Sequence, residues 1–364
     1  MPKTTDIRVI QLIDSLDAGG GERMAVNLAN ALADKVQFSG LVCTRKEGAL
    51  KEFISSEVGY KFINRKKTID TNALFLLIDF VKHHQVQIIH AHSTSFFFAV
   101  LAKIRFPKLK IVWHDHYGES ERLSSRPKLA IKLASHLFSS IISVNEKLKN
   151  WAIENLASKP TFYIRNFAQL SSNASSNQNL LGDPQAYKII QVANLRPQKT
   201  HLVAFEAIKM LNQKGVNCSL HCLGGFQPED LYYKELTNFI ITNKLGNQIH
   251  LYGSSNEISS LTAKANLGML SSRSEGLPVS LLEYAMAKKP VVVTDVGQCA
   301  EVVGDFGKVV PPNNAVALAD AIQFYIENPT EAEKDATALH KKVSKEFNPE
   351  TIIQQVIEVY EGAS

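Results

Sequence analysis

Residues Ser271 to Pro290 read SSRSEGLPVSLLEYAMAKKP. The apolar run before them, Ala265 to Leu270, predicts a short buried strand. The chain then breaks at Ser274-Glu275-Gly276 and restarts as a helix at Pro278. Proline suits a first helical position, because its fixed φ fits the helix and its missing N–H would have no partner there. Two carboxylates frame the element, Glu275 in the turn and Glu283 on the second helical turn. Eight residues at helical rise keep their Cα atoms within ~12 Å. Backbone amides between Gly276 and Val279 face outward from the helix start, where the dipole favours an anion.

The same strand–turn–helix rhythm fills the chain on both sides. Asp6–Ile13 is an expected strand, followed by a glycine turn and a helix over Glu22–Leu32. Strands near 37–43, 60–63, 87–90, 110–114, 140–144 and 162–164 alternate with helices over 49–56, 71–84, 95–105, 126–138 and up to 156. After the polar run SSNASSNQN the pattern restarts at Lys188–Ala193, with further strands at 218–223, 249–252, 265–270 and 291–294. Helices are expected over 201–213, 229–244, 258–265, 315–327, 331–347 and 349–360. Such alternation means parallel sheets covered by helices on both faces. The expected fold is α/β, with two Rossmann-like domains facing a central cleft. Their bounds are 1–167 and 187–347, joined by a polar linker at 168–186. A last helix in 348–364 folds back onto the first domain.

Ligands of open parallel sheets bind beyond the carboxyl ends of the strands. In the first half those ends carry Gly19-Gly20-Gly21, His90 and His92, and Trp113-His-Asp-His-Tyr-Gly118. The triple glycine is not a G-x-G-x-x-G fingerprint; it reads as a close-approach loop for a phosphate or a sugar. His114 and His116 flank Asp115, and no third ligand is identifiable to make them a metal site. In the second half Asn194-Leu-Arg196-Pro-Gln-Lys199 puts two cations between a strand and a helix, which suits a diphosphate. The chain has no Asp-x-Asp anchor for a metal–nucleotide complex, no phosphate loop of the Gly-x4-Gly-Lys type and no Gly-x-Ser-x-Gly elbow.

Composition narrows the class. With 364 residues, 45% hydrophobic and 21% charged, the chain is of globular type and long enough for two cores. A net charge of +5 does not argue for nucleic acid. Four scattered cysteines and no secretory leader pattern lead to the expectation of a cytoplasmic protein. Cys218-Ser-Leu-His-Cys222 lies in a strand-like run and reads as structural.

Taken together these residues resemble family 4 of the glycosyltransferases, retaining enzymes with two Rossmann-like domains (the GT-B fold). Glu275-Gly-Leu-Pro-Val-Ser-Leu-Leu-Glu283 matches that family's Glu-x7-Glu motif, and Pro290–Gly297 with Glu301-Val-Val303 looks like its sequel. Val192–Lys199 resembles the diphosphate turn. His90–Ser93, Ser143–Glu146 and Ile164–Asn166 look like the N-terminal landmarks. The resemblance implies that Glu275 binds donor-sugar hydroxyls, that Gly276, Leu277, Pro278 and Val279 line the distal phosphate or sugar, and that Glu283 holds the ribose. Arg196 and Lys199 would neutralise the leaving diphosphate in place of a metal. His116 would touch the donor sugar near the reacting carbon, with His114 as the other register. Gly19, Gly20 and Gly21 would line the acceptor side. Where the family commonly has Gly-Arg this chain has Ala193-Asn194, so Arg196 is expected to supply that cation.

The implied reaction moves a hexosyl group from a UDP- or GDP-sugar to a hydroxyl of a glycan or lipid-linked acceptor, with retention and without a metal or other cofactor. The implied setting is the synthesis of cell-surface polysaccharide or glycoconjugate. Arg65-Lys-Lys67, Lys103–Lys110 and Arg126–Lys132 mix basic and apolar residues, which would dock an anionic membrane at the inner face of the plasma membrane. Two other readings use the same cleft, a nucleotide-sugar epimerase and a sugar-binding subunit with a degenerate site.

Overall fold

The computed structural model describes residues 5–17, 19–118, 120–167, 179–255 and 257–362. The chain divides into two units, one of residues 1–167 with 349–364 and the other of 168–348. Most of the polar run expected as a linker lies outside the described residues, at 168–178.

Among the described residues the first unit holds seven parallel strands: β1 (Thr5–Ser15), β2 (Val36–Lys46), β3 (Gly59–Phe62), β4 (Ile88–His92), β5 (Lys110–Asp115), β6 (Ser140–Ser143) and β7 (Thr161–Tyr163). They lie in the order β3-β2-β1-β4-β5-β6-β7. All of β4 and β6 is buried, as a sheet covered on both faces requires. On one face Trp113 stacks on Phe138 with ring centroids 5.8 Å apart, and Phe98, Leu77 and Ile111 complete that core. Each such side chain contributes roughly 1.5–3 kcal/mol on burial. The helix Pro349–Gly362 belongs to this unit and buries Ile352, Ile353, Val356, Ile357, Val359 and Tyr360. Lys35 pairs with Glu350 at its start, 2.6 Å apart.

The second unit holds β8 (Tyr187–Val192), β9 (Cys218–Leu223), β10 (Ile249–Gly253), β11 (Leu267–Leu270), β12 (Val291–Thr294) and β13 (Lys308–Val310), all parallel. Their order is β10-β9-β8-β11-β12-β13. In each sheet the chain reverses its winding at one place, between β1 and β4 and between β8 and β11. At such switch points neighbouring loops diverge and leave room for a ligand.

Local differences from the expected elements have local causes. Ala49–Phe53 is a 3₁₀ turn, not a helix to 56. The helix expected over 126–138 is Leu129–Ser135. Pro127 disfavours helical backbone at Arg126, whose side chain is engaged elsewhere. Pro278 sits one step earlier than expected, as N-cap, and the helix is Val279–Met286. The short helix Cys299–Val303 and strand β13 are additions to the expected elements.

Candidate functional site

In the second unit the loops after β8 and β11 flank the switch point and interlock. Gln191 donates to Ser271 Oγ at 3.0 Å, Ser271 Oγ donates to Lys199 O at 3.0 Å, and Arg273 N donates to Gln198 O at 2.9 Å. Thr200 follows Lys199 with φ of 44°, left-handed backbone that a β-branched residue rarely adopts. Its hydroxyl donates to the Ser271 carbonyl, so the β11 loop holds it there. Strain of this kind costs about 1–3 kcal/mol and persists where surroundings dictate it.

The product of this interlock is one ion pair. Lys199 Nζ meets both oxygens of Glu275, at 2.6 and 2.7 Å, and Ser272 Oγ donates to Glu275 Oε1 at 2.6 Å. The Glu275 side chain is 7% exposed and that of Lys199 23%. An ammonium has three protons, and two are spent on Glu275. The third has no partner among the described residues, and the partial exposure leaves it open to a ligand anion.

Behind Glu275 the turn is clamped from the β12 loop. Gln298 N donates to Gly276 O at 3.0 Å. Gly297, at φ of 56°, passes so close that a Cβ there would lie 2.4 Å from Glu275 O and 2.5 Å from Gly276 O. Leu277 and Val279 are each 5% exposed, which turns their side chains inward and leaves the backbone at the helix start facing out. Glu283 is 8% exposed on the same helix. Arg196 stands apart from the pair: it is exposed and its side chain makes no hydrogen bond or ion pair among the described residues. Asn194, in the place of the family's arginine, has a fastening role, since its Oδ1 accepts from Gly225 N at 2.8 Å.

In the first unit, Gly20 and Gly21 open the helix Gly20–Ala33, with Gly19 as its N-cap. A Cβ on Gly21 would lie 3.3 Å from His116 Cβ and Cγ, so this glycine lets the helix start pack on the His116 ring. Nothing lies within 4 Å of a Cβ built on Gly20. His116 is partly exposed, whereas His114 is fully buried. Of the two registers, only His116 can meet a ligand without rearrangement.

Strand pairing corrects the reading that these histidines lack a third partner. β4 and β5 pair with His92 opposite His114, so His90, His92, His114 and His116 share one face. The four are bonded in two pairs, His90 Nε2 to His114 Nδ1 at 3.0 Å and His92 Nδ1 to His116 Nε2 at 2.9 Å. His92 Nε2 reaches Gln11 Oε1 at 2.8 Å, and His90 Nδ1 reaches Tyr360 Oη at 2.6 Å. Burial pushes all four pKa values down, to about 3 for His90 and His116, so the rings are neutral. Ring nitrogens of His90, His92 and His114 lie within 4.8 Å of one another, close enough to hold a metal ion. The sequence signal is present as two alternating pairs, His-Ala-His and His-Asp-His, on consecutive strands. Gln11 and Tyr360 escape sequence reasoning; the one sign of Gln11 is an amide inside the apolar stretch Val9–Ile13.

Two cations expected on a docking surface are structural instead. Arg126 holds Asp115 with two bonds of 2.6 and 2.8 Å and lies 4.2 Å over the Trp151 ring. Arg65 is 5% exposed, donates to the carbonyls of Lys67 and Thr68, and covers Phe98 at 4.4 Å. Their guanidinium groups are used up within the first unit. Among the described residues, no helix is long and apolar enough to cross a membrane.

Comparison with known proteins follows this division. Residues 18–171 match the family model described as Glycosyltransferase Family 4, and residues 174–343 the one described as Glycosyl transferases group 1. An uncharacterized glycosyltransferase of Methanocaldococcus jannaschii is 29% identical over 66% of this chain, which spans 64% of that relative. The O-antigen biosynthesis glycosyltransferase WbnH of Escherichia coli is 24% identical over 82% of this chain and 84% of its own length. The crystal structure of Anabaena HepE in complex with UDP and glucose matches with a TM-score of 0.80 and 19% identity, covering 98% of this chain and 99% of that one. That likeness establishes the fold, two Rossmann-like units of GT-B type. With both family models matched along the chain, this protein belongs to family 4 of the glycosyltransferases.

Proposed function

We infer that the protein is a retaining, metal-independent glycosyltransferase that moves a hexosyl group from a nucleotide diphosphate sugar to an acceptor hydroxyl. The observation that carries this reading is the Lys199–Glu275 pair at the β8/β11 switch point, with one ammonium proton to spare. Lys199 would neutralise charge developing on the leaving diphosphate, the kind of preorganised stabilisation worth several kcal/mol in a transition state. Glu275, fixed by Ser272 and Lys199, would accept from hydroxyls of the donor sugar. Amides at Gly276, Leu277 and Val279, with the Pro278 turn between them, would face the distal phosphate, and Glu283 the ribose. Arg196, unpaired and exposed, is free to join the diphosphate. In the first unit His116 would contact the reacting sugar, with Gly19, Gly20 and Gly21 on the acceptor side.

Among the similar structures HepE holds UDP and glucose, which favours UDP over GDP as the carrier. WbnH, an O-antigen biosynthesis enzyme, favours a glycan or lipid-linked acceptor in cell-surface polysaccharide synthesis. The helix Leu129–Ser135 supports docking on an anionic membrane. Leu129 and Leu133 are 74% and 65% exposed, beside exposed Lys128 and Lys132. Leu129→Asp with Leu133→Asp should abolish cosedimentation with anionic vesicles; unchanged binding would remove the docking role.

A thermal-shift panel of nucleotide diphosphates and their sugars tests the donor assignment. Saturation at a hundredfold the Kd stabilises by about 2.7 kcal/mol. A rise with UDP and UDP-sugars is expected, and no response to any nucleotide would refute the reading. Release of an epimer from a nucleotide sugar without acceptor would instead select the epimerase.

A further inference from the structure

We propose that Gln11, His92 and Tyr360 act as positioning residues that fix His116 as one tautomer, protonated on Nε2 and presenting a bare Nδ1 to a ligand hydroxyl. The inference rests on the reading that His116 meets a sugar or an acceptor alcohol.

Proton bookkeeping through the network leads to it. The contact between Tyr360 Oη and His90 Nδ1 is 2.6 Å. Gln11 Nε2, an amide donor, gives a proton to the same Tyr360 oxygen at 3.3 Å. With its amide nitrogen committed to Tyr360, Gln11 turns its oxygen to His92 Nε2, 2.8 Å away, which must carry the proton. His92 Nδ1 is then a lone pair, and the contact of 2.9 Å to His116 Nε2 requires the proton on His116. A neutral imidazole has one N–H, so His116 Nδ1 is left as an acceptor. It makes no hydrogen bond among the described residues, and the side chain is partly exposed.

His90 is also stacked on His92 at 4.6 Å with 9° between planes, His92 on His116 at 5.1 Å with 14°, and His114 packs tilted against His116 at 4.0 Å. Stacking fixes the ring planes while the hydrogen bonds fix the protons. Metal binding by the same rings needs in-plane lone pairs that converge on one point. Here the planes lie 9°, 21° and 30° apart, and five of the six nitrogens of His90, His92 and His114 already point at one another, Gln11, Tyr360 or His116.

Long-range ¹H–¹⁵N correlation spectra of the full chain labelled in histidine report each tautomer, with His116 signals identified by their loss in His116→Gln. The wild type should show one His116 tautomer, Nε2 protonated and Nδ1 bare. His92→Phe keeps a ring in the stack but removes the acceptor, and should give averaged tautomers. His92→Gln offers a carbonyl in its place and should restore the lock. A wild-type His116 that is averaged or protonated on Nδ1 overturns the proposal without any variant, as does a His116 pattern unmoved by His92→Phe. So does one equivalent of bound Zn²⁺ that is lost in His114→Gln. In steady-state transfer, His92→Phe should lower kcat about tenfold, one hydrogen bond's worth, with the KM for the nucleotide sugar unchanged and kcat recovered in His92→Gln. A locked tautomer in a protein with no transferase activity would leave the network standing and remove only the enzymatic reading.

Discussion

Acid should unfold the first unit far sooner than a Rossmann-like domain without buried histidines. His90, His92 and His114 are each wholly buried, and burial first, then neighbouring imidazoles, holds their pKa values well below the ordinary 6.5. In the unfolded chain each ring takes up a proton near pH 6.5; in the folded chain His90 resists until about 3. The unfolded state thus binds more protons in this window, so the stability present above pH 6.5 is lost as pH falls. One ring contributes about 1.4 kcal/mol per pH unit, and three about 4 kcal/mol. A unit stable by about 10 kcal/mol at neutral pH would lose a large share of that within two pH units below 6.5. Both tryptophans, Trp113 and Trp151, lie in this unit, so their fluorescence reports it without interference from the other. Urea titrations at pH 7.5, 6.5 and 5.5 should show the unfolding free energy falling steeply between the last two. His114→Gln should reduce that slope by about 1.4 kcal/mol per pH unit, one ring's share. Equal stability at 7.5 and 5.5, or a slope unaltered by His114→Gln, would refute the reasoning.

Other consequences are as open to measurement. Lys199→Ala should lower turnover by about 10²–10³ with the circular dichroism spectrum retained; full activity would remove the lysine from the diphosphate site. Gly297→Ala should destabilise the second unit by more than about 2 kcal/mol, because left-handed backbone and a clash with two carbonyls add together. Gly20→Ala, with open space around its Cβ, should cost nothing in folding; denaturant midpoints compare the two. Arg126→Lys should cost about 3 kcal/mol by breaking a bidentate buried pair with Asp115, read from the same tryptophan fluorescence.

Alternation of apolar runs with amphipathic stretches makes both sheets legible, because a parallel strand buried on both faces has to read as a block. Lys199 and Glu275 are legible for a related reason, since strand ends next to helix starts are where such a fold places ligand groups. What stays hidden depends on pairing across the sheet. His90 and His114 are 24 residues apart and Gln11 and Tyr360 are 349 apart, so it takes the register of β1, β4 and β5 and the packing of the last helix to bring them together. Arg65 and Arg126 mislead for the opposite reason. Each lies in a basic stretch, yet its planar head fits over aromatic rings and against backbone or carboxylate oxygens inside the unit. β13 escapes notice because three residues carry too little pattern to separate a strand from a turn.

The helix Pro349–Gly362 bears on how the protein is made. It completes the hydrogen bonding of Gln11 and His90 through Tyr360, yet segment 168–348 is translated between the two parts of the first unit. At ~5–20 residues per second, the early strands wait tens of seconds on the ribosome before the last helix emerges. Meanwhile the second unit, continuous in sequence, can close by itself. The amino-terminal half is thus the first to be synthesised and the last to be finished, and a nascent chain stalled before residue 349 exposes the apolar surface that Ile353, Val356 and Ile357 later cover.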